Sequence, residues 1–423
     1  MIFFVVAIYI HFKSFYNIVK EPNPSSPIKM MFLINILGFF MLPCISNDIF
    51  SVLNYGNHFD GSPKIYTQST LNPSLFTSYV SGLYHSIPCV YGIGAMLVSK
   101  LSIQHTVIGS IFTFKGVALL CSIISGFFIC RTPDLSPRQQ WIWCLNPIWT
   151  IHALGHAHIE VLSISLFFIS ILLTLKEKYI LSVLFFLLSF STKFSLIFCL
   201  PILWMIPYLK GKQSLKLLSI HIAIYLVATG VLIGSEYIYW GQSYSILIPI
   251  KTVSSLWPTG SFAEIIFAIK KIITSSFHPE YGLEQTLSDR LFLEKLGVLL
   301  KGIFILFNLA LIYRCRKQLI ANLPLILFSG VASLLFIYSH RFMSWYLLLF
   351  IPFFVLPFEW KKIIFIVMIL GFFATIQDAA HFNHIQPLST IILAIAIPAT
   401  IITQLWLLKQ IFYEGRNINR DSK

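Results

Sequence analysis

Long apolar runs alternate with short polar connections along the chain, a pattern typical of helices that cross a membrane. A spanning helix needs about 20 mostly apolar residues. Residues 1–12 are apolar but short, so they form a marginal first span, the tail of a longer one or an interfacial segment. The sequence predicts a single all-α transmembrane bundle over residues 1–423 with 12 or 13 spans, the twelve clear ones being 28–46, 106–130, 139–155, 159–175, 179–192, 194–209, 216–240, 296–313, 321–339, 343–358, 362–378 and 388–409.

Composition supports this class. Hydrophobic residues make up 57% of the 423 positions and charged residues 11%, whereas soluble domains contain about 45–50% and about 25%. The net charge of +14 would suggest nucleic acid in a soluble chain, but basic residues also collect in the cytoplasmic loops of membrane proteins. No nucleic-acid partner is therefore expected. The seven cysteines form no CxxC pair, so neither a disulfide framework nor a zinc site is indicated.

Charge also predicts the orientation. If loop 13–29 is cytoplasmic, that side carries 19 basic and 6 acidic residues, against 9 and 10 on the outer side. The two long connections, 47–105 and 241–295, are then both on the outer side, and their apolar stretches 90–101 and 262–273 predict helices lying in the interface. Nine of the twelve histidines lie at or beyond outer ends of spans. Any chemistry is expected on this periplasmic or lumenal face.

The first outer connection contains the first candidate residues. Asp48 follows a long apolar run, and its position alone is compatible with a catalytic acid and with a helix N-cap. Aromatic rings beside hydrogen-bonding groups suit a sugar ligand, although an interfacial aromatic belt has the same composition. The sugar-binding candidates here are Tyr55, His58, Tyr66, His85 and Tyr91.

Two later segments add polar groups at outer ends of spans. His156 and Glu160 are four residues apart and share a helical face, with His158 between them. Metal binding is one interpretation, but no third ligand is assured, and polar hydrogen bonding at the mouth of a cavity is favoured. No metal is assigned, and a divalent cation stays an open alternative.

Basic residues recur at the same face. Lys193 and Arg341, the latter preceded by His340, are compatible with snorkelling towards lipid headgroups or with holding the phosphate of a lipid-linked substrate. The sequence contains no nucleotide-binding loop and no hydrolase or kinase motif. No cofactor is expected.

Together these segments resemble the GT-C superfamily of membrane glycosyltransferases, above all the polyprenyl-phosphate-mannose-dependent mannosyltransferases. The chain departs from the family pattern at Ile93 and Ser344, where the family has proline, and at Asn47, which precedes the acid in place of a second acid. The resemblance covers roughly residues 28–360 and lies in Asp48-Ile49-Phe50, Tyr55-Gly56, Ser62-Pro63…Tyr66, Pro88…Tyr91-Gly92, Asn146-Pro147…Gly155-His156…Glu160, Thr192-Lys193-Phe194 and Arg341…Trp345-Tyr346…Pro352.

The resemblance implies an inverting transfer of a sugar, mannose above all, from a polyprenyl or dolichyl phosphate to a glycan or glycolipid acceptor. Asp48 would be the general base, and Lys193, His340 and Arg341 would hold the donor phosphate. The implied substrate-binding residues are Tyr55, His58, Tyr66, His85, Tyr91, His156, His158, Glu160, Trp257, Trp345 and Tyr346.

The competing class is a secondary transporter or flippase of a lipid-linked or small polar substrate. Such proteins show related halves with interrupted spans near the membrane midplane. Here the polar residues gather at one face beneath the long loops, which favours the enzyme. A multi-pass protein of the bacterial inner membrane is preferred to one of the endoplasmic reticulum.

The predicted orientation is testable with single cysteines introduced at Lys64 and Lys178. A membrane-impermeant maleimide should add label to Lys64→Cys in right-side-out vesicles and to Lys178→Cys in inverted vesicles, each compared with the parent chain. The reverse pattern, or labelling of both from one side, would contradict the assigned topology.

Overall fold

The computed structural model describes residues 2–20, 27–43, 48–67, 74–80, 88–133, 135–209, 215–240, 266, 287–319, 321–338, 342–356, 358, 360–383 and 388–417. These residues contain helices and no β-strand, as predicted. The α-helices in chain order are α1 (Ile2–Lys20), α2 (Ile28–Phe40), α3 (Asp48–His58), α4 (Lys64–Thr67), α5 (Ile93–Ser102), α6 (Val107–Cys130), α7 (Pro137–Cys144), α8 (Glu160–Leu175), α9 (Tyr179–Thr192), α10 (Leu200–Leu209), α11 (Leu215–Trp240), α12 (Leu287–Cys315), α13 (Leu323–Ser333), α14 (Lys361–Asn383) and α15 (Leu388–Asn417).

Short 3₁₀ and π segments connect several of these helices. The π segments are Trp149–Gly155 and Leu334–Tyr338, and the 3₁₀ segments are Thr77–Tyr79, Phe194–Cys199, Arg316–Gln318 and Ser344–Val355. Proline accounts for part of this irregularity because it lacks the N–H that a regular helix needs. Pro352, for example, lies inside the 3₁₀ segment Ser344–Val355.

Within the described residues, five helices are long and apolar enough to cross a membrane by length and composition: α6 and parts of α11, α12, α14 and α15. Other predicted spans correspond to shorter apolar helices. At about 1.5 Å per residue, the 16-residue α8 is about 24 Å long, less than the roughly 30 Å hydrocarbon layer. The predicted interfacial stretch 90–101 forms α5, whereas most of the stretch 262–273 lies outside the described residues.

The predicted span 139–155 is not one continuous helix. The helix α7 ends at Cys144, and the π segment Trp149–Gly155 follows it. Pro147 has no N–H and disfavours helical backbone at the residue before it. The side chain of Asn146 accepts a hydrogen bond from the N–H of Ile148 at 2.9 Å, which stabilises the turn. The chain therefore enters the outer polar segment through irregular backbone.

Polar side chains join α8, α9 and α11. Ser170 of α8 lies 2.8 Å from the hydroxyl of Ser182 in α9, which lies 2.7 Å from the hydroxyl of Tyr225 in α11. Small residues allow close approach of helix backbones in a membrane, and interhelical hydrogen bonds add to their packing. This cluster holds α8 and α9 together, and these two helices carry Glu160 and the residue before Lys193.

Lys115, in the middle of α6, is 1% exposed and donates hydrogen bonds to backbone carbonyls of two other segments. Its Nζ lies 3.1 Å from the carbonyl oxygen of Gly38 and 3.0 Å from that of Gly155, and it also bonds the carbonyl of Met41. Gly38 and Met41 lie at the end of α2, and Gly155 ends the first π segment. The carbonyl of Gly38 also accepts a hydrogen bond from the N–H of Met41 at 3.2 Å. The cation thus adds a charged donor to the carbonyls of two segment ends and joins them.

Replacing Lys115 with methionine should destabilise the protein by about 3 kcal/mol or more, since three carbonyls lose a charged donor. Thermal unfolding of the purified chain in detergent measures this. The matched control is Lys301→Met on α12, a partly exposed helix. Equal, small shifts for both variants would contradict the assigned role.

Candidate active site

Asp48 begins α3, and its carboxylate faces a histidine from the distant irregular segment. Its Oδ2 lies 3.3 Å from Nδ1 of His158, and the two residues are 7% and 1% exposed. An acid in the first turn also interacts favourably with the helix dipole. The helix-start role and a chemical role are therefore compatible at this position.

The backbone around His158 has an uncommon conformation. Ala157 has φ of 51°, in the left-handed region that alanine rarely adopts. Strain of this kind persists only where the surrounding structure enforces it, and it is concentrated at functional sites. It turns the chain between His156 and His158, whose ring centroids are 6.4 Å apart. Both histidines are buried beside the start of α8.

A third histidine joins this pair. His152 Nε2 lies 3.0 Å from the hydroxyl of Thr375 in α14, and its ring centroid is 5.9 Å from that of His158. Among the residues that the structure describes, no group of three or more His, Cys, Asp or Glu side chains is arranged to hold a metal ion. His152 thus shares a hydrogen bond with Thr375 and lies beside the other two histidine rings.

Glu160 and Lys193 form a largely buried ion pair. Glu160 lies in the first turn of α8, and Lys193 follows the last residue of α9. Their side chains are 1% and 17% exposed, and Lys193 Nζ donates to Oε1 of Glu160. Asp48 also acts electrostatically on Lys193. The pair therefore holds a cation within electrostatic range of the carboxylate of Asp48.

Two aromatic rings flank this cation. Lys193 Nζ lies 5.8 Å from the ring centroid of Tyr91 and 5.6 Å from that of Tyr346, within the range of cation–π attraction. Gly92 makes the approach of Tyr91 to the cation feasible. Its N–H donates to the carbonyl of Thr192 at 3.1 Å, and any Cβ there would collide with the carbonyl of Ser191.

Tyr346 is held in place by a residue that sequence reasoning missed. Asp378 of α14 is 3% exposed and accepts hydrogen bonds from the backbone N–H of Ser344, at 2.8 Å, and from its hydroxyl. A proline at position 344 could donate neither bond. Serine therefore anchors the segment before Trp345-Tyr346 in a way that the family's proline cannot. The sequence did contain a signal for Asp378, because an acid at the end of the predicted span 362–378 is costly to bury.

Of the remaining candidates of the first outer connection, Tyr55 borders the cluster, with its ring centroid 6.2 Å from that of Tyr91. The hydroxyl of Tyr55 donates to the carbonyl of Pro88 at 3.3 Å, and burial, with Cys89 and Asp48 nearby, raises its pKa well above the usual value. Tyr66 is fully buried, and its ring centroid lies 5.6 Å from that of Trp240, which is a packing contact. His58 is half-buried at the end of α3.

Part of the predicted site lies outside the described residues. This holds for His85, Trp257, His340, Arg341 and the side chain of Trp345. The structure therefore brings together Asp48, Tyr55, Tyr91, His156, His158, Glu160, Lys193 and Tyr346 from the predicted set.

The described residues form a helical protein with five helices able to cross a membrane, and comparisons with known proteins agree with the resemblance of the motifs. Residues 20–208 match the model of the MptA_B family, described as the N-terminal domain of alpha-(1->6)-mannopyranosyltransferase. This match covers just under half of the chain and contains Asp48, Tyr91, Glu160 and Lys193. The resemblance to GT-C-like mannosyltransferases is thereby confirmed.

Two curated relatives carry the same activity in their names. The chain is 23% identical to alpha-(1->6)-mannopyranosyltransferase A of Corynebacterium glutamicum over 57% of its length and 54% of the relative's. It is 24% identical to the Mycobacterium tuberculosis protein of that name over 56% of its length and 49% of the relative's. The chain thus aligns with about half the length of these relatives, and no solved structure matches it.

The ion pair generates a stability prediction. Lys193→Met should destabilise the protein by about 3–5 kcal/mol, because Glu160 is left buried and charged without its cation. The double variant Glu160→Gln/Lys193→Met should regain most of that loss in thermal unfolding. If the double variant is as unstable as the two single losses added together, the two residues are not energetically coupled.

Proposed function

We propose that this chain transfers mannose from a polyprenyl-phosphate donor to a lipid-linked or glycan acceptor. The observation that carries the proposal is the placement of buried Asp48 beside His158 and the Glu160–Lys193 pair, within the segment that matches the mannosyltransferase family model. A carboxylate and a cation in one polar cluster suit a reaction in which a hydroxyl loses a proton on one side of the sugar and a phosphate leaves on the other.

Asp48 is the proposed general base. Its carboxylate accepts the proton of the acceptor hydroxyl as that oxygen attacks the anomeric carbon of the donor. The new carbon–oxygen bond forms while the bond from the anomeric carbon to the phosphate oxygen breaks, and a single displacement inverts the configuration. His158, 3.3 Å from the carboxylate, orients it towards the acceptor. Positioned proton transfer of this kind contributes about 10²- to 10⁴-fold to a rate.

Lys193 is the proposed partner of the donor phosphate. Its ammonium group stabilises the negative charge that remains on the polyprenyl phosphate after the sugar departs. Glu160 and the rings of Tyr91 and Tyr346 hold that ammonium group in position. Arg341 and His340 complete the phosphate site in this proposal, while His156 and the aromatic residues bind the sugar and acceptor. No step requires a metal ion, so a chelator should leave the rate unchanged.

The proposed location is the bacterial inner membrane, with the site on its periplasmic face. The charge distribution of the loops supports this face. Both relatives above are bacterial proteins, which supports a bacterial membrane over that of the endoplasmic reticulum.

The test is transfer of labelled mannose from polyprenyl-phosphate mannose by the purified chain in lipid, with membrane extract as the acceptor source. Asp48→Asn should lower the rate by about 10²- to 10⁴-fold, because the amide cannot accept the proton. Binding of the donor should persist, since Lys193 is unchanged.

Asp60→Asn is the matched control. Asp60 is an exposed acid of the same outer connection, and its carboxylate accepts a hydrogen bond from the N–H of Ser62 at 2.8 Å. It should retain the wild-type rate. Survival of activity in Asp48→Asn would remove Asp48 as the base, and inactivity of the wild type with all polyprenyl-phosphate sugars would favour a transporter.

A further inference from the structure

A groove of about 210 Å³ lies between α1, α14 and α15, away from the residues of the candidate active site. Its rim includes Lys20, the last residue of α1, and Lys361 and Lys362, the first two residues of α14. Positions 361 and 20 belong to the predicted cytoplasmic side, opposite the outer connections. The groove therefore lies where a span of α14 meets the aqueous phase.

The rim of the groove is cationic. All three lysines are exposed. Glu414 of α15 pairs with Lys362 at 3.1 Å and accepts a hydrogen bond from Gln410 at 2.6 Å, so its charge is directed to one lysine of the three. The first N–H groups of α14 add partial positive charge at the same place. The described lining thus has an excess of positive charge.

The wall of the groove is aromatic. The ring centroid of Phe365 lies 4.9 Å from that of Tyr16 and 6.1 Å from that of Trp406. Trp406 is partly exposed, at 41%, on α15. Tyrosine and tryptophan are enriched at membrane interfaces, where one side of the ring contacts hydrocarbon and the other contacts polar groups. An aromatic wall below a cationic rim suits an amphiphile with an anionic head better than a soluble anion.

We propose that this groove binds the headgroup of an anionic phospholipid of the cytoplasmic leaflet. Lys20 and Lys361 contact the phosphate, and the acyl chains lie along the apolar faces of α1 and α15. Basic pockets between transmembrane helices on the cytoplasmic side bind anionic headgroups in this manner. The site is independent of the glycosyl-transfer reaction proposed above and rests on other residues.

The experiment is native mass spectrometry of the full chain in detergent, titrated with phosphatidylglycerol or with phosphatidylcholine of the same acyl chains. Each lysine near a membrane surface strengthens anionic-lipid binding about fivefold. The wild type should retain phosphatidylglycerol preferentially, and Lys20→Gln/Lys361→Gln should weaken that binding by about 25-fold.

Lys176→Gln/Lys178→Gln is the matched control. It removes the same charge from exposed residues of the loop between α8 and α9, on the same predicted side. It should leave phosphatidylglycerol binding unchanged. Equal weakening in both double variants would overturn the proposal in favour of general surface charge.

Two further measurements distinguish binding of a lipid from binding of a free anion. Displacement of phosphatidylglycerol by millimolar inorganic phosphate would overturn the lipid assignment. Brominated phosphatidylglycerol should quench the tryptophan fluorescence of the wild type more than that of Trp406→Phe, because Trp406 lines the groove. Equal quenching in the two chains would also overturn the proposal.

Discussion

Backbone that leaves helical geometry within a membrane must find hydrogen-bond partners inside the protein. Here the ammonium group of Lys115 donates hydrogen bonds to three backbone carbonyls. These carbonyls lie at the end of α2 and at Gly155. The candidate residue Asp48 follows the end of α2 in the sequence, and His156 and His158 follow Gly155. One cation on a regular helix thereby holds two irregular segments against each other.

The buried charges of the site depend on this arrangement. Asp48 comes from the start of α3, Glu160 from the start of α8 and Lys193 from the end of α9, so no two of them share a helix. The contacts of Asp48 with His158 and of Glu160 with Lys193 offset the cost of removing charged groups from water only when the geometry is maintained. The hydroxyl contacts between α8 and α9 and the close approach of Gly92 to Ser191 maintain it.

Hydropathy predicted the long helices because apolar surface is the dominant requirement in a membrane, and α6 and α14 are clear examples. Asp48, His158, Glu160 and Lys193 were also identifiable, since polar residues at outer ends of spans are costly and rarely incidental. Their pairing was not predictable, because contacts between segments distant in sequence leave no periodic signal. Asp378, near the end of the predicted span 362–378, carried the same signal and was overlooked, and its contact with Ser344 on another segment was not predictable.

In the proposed reaction, Lys193 binds the donor phosphate, and Asp48 takes the proton of the acceptor hydroxyl that attacks the anomeric carbon. The most direct test is a structure of the full chain in lipid with a non-transferable phosphonate analogue of polyprenyl-phosphate mannose. The account predicts phosphonate oxygens within hydrogen-bond distance of Lys193, with the anomeric carbon turned towards Asp48. An analogue bound on the opposite face of the membrane, or with its phosphonate remote from Lys193, would contradict it.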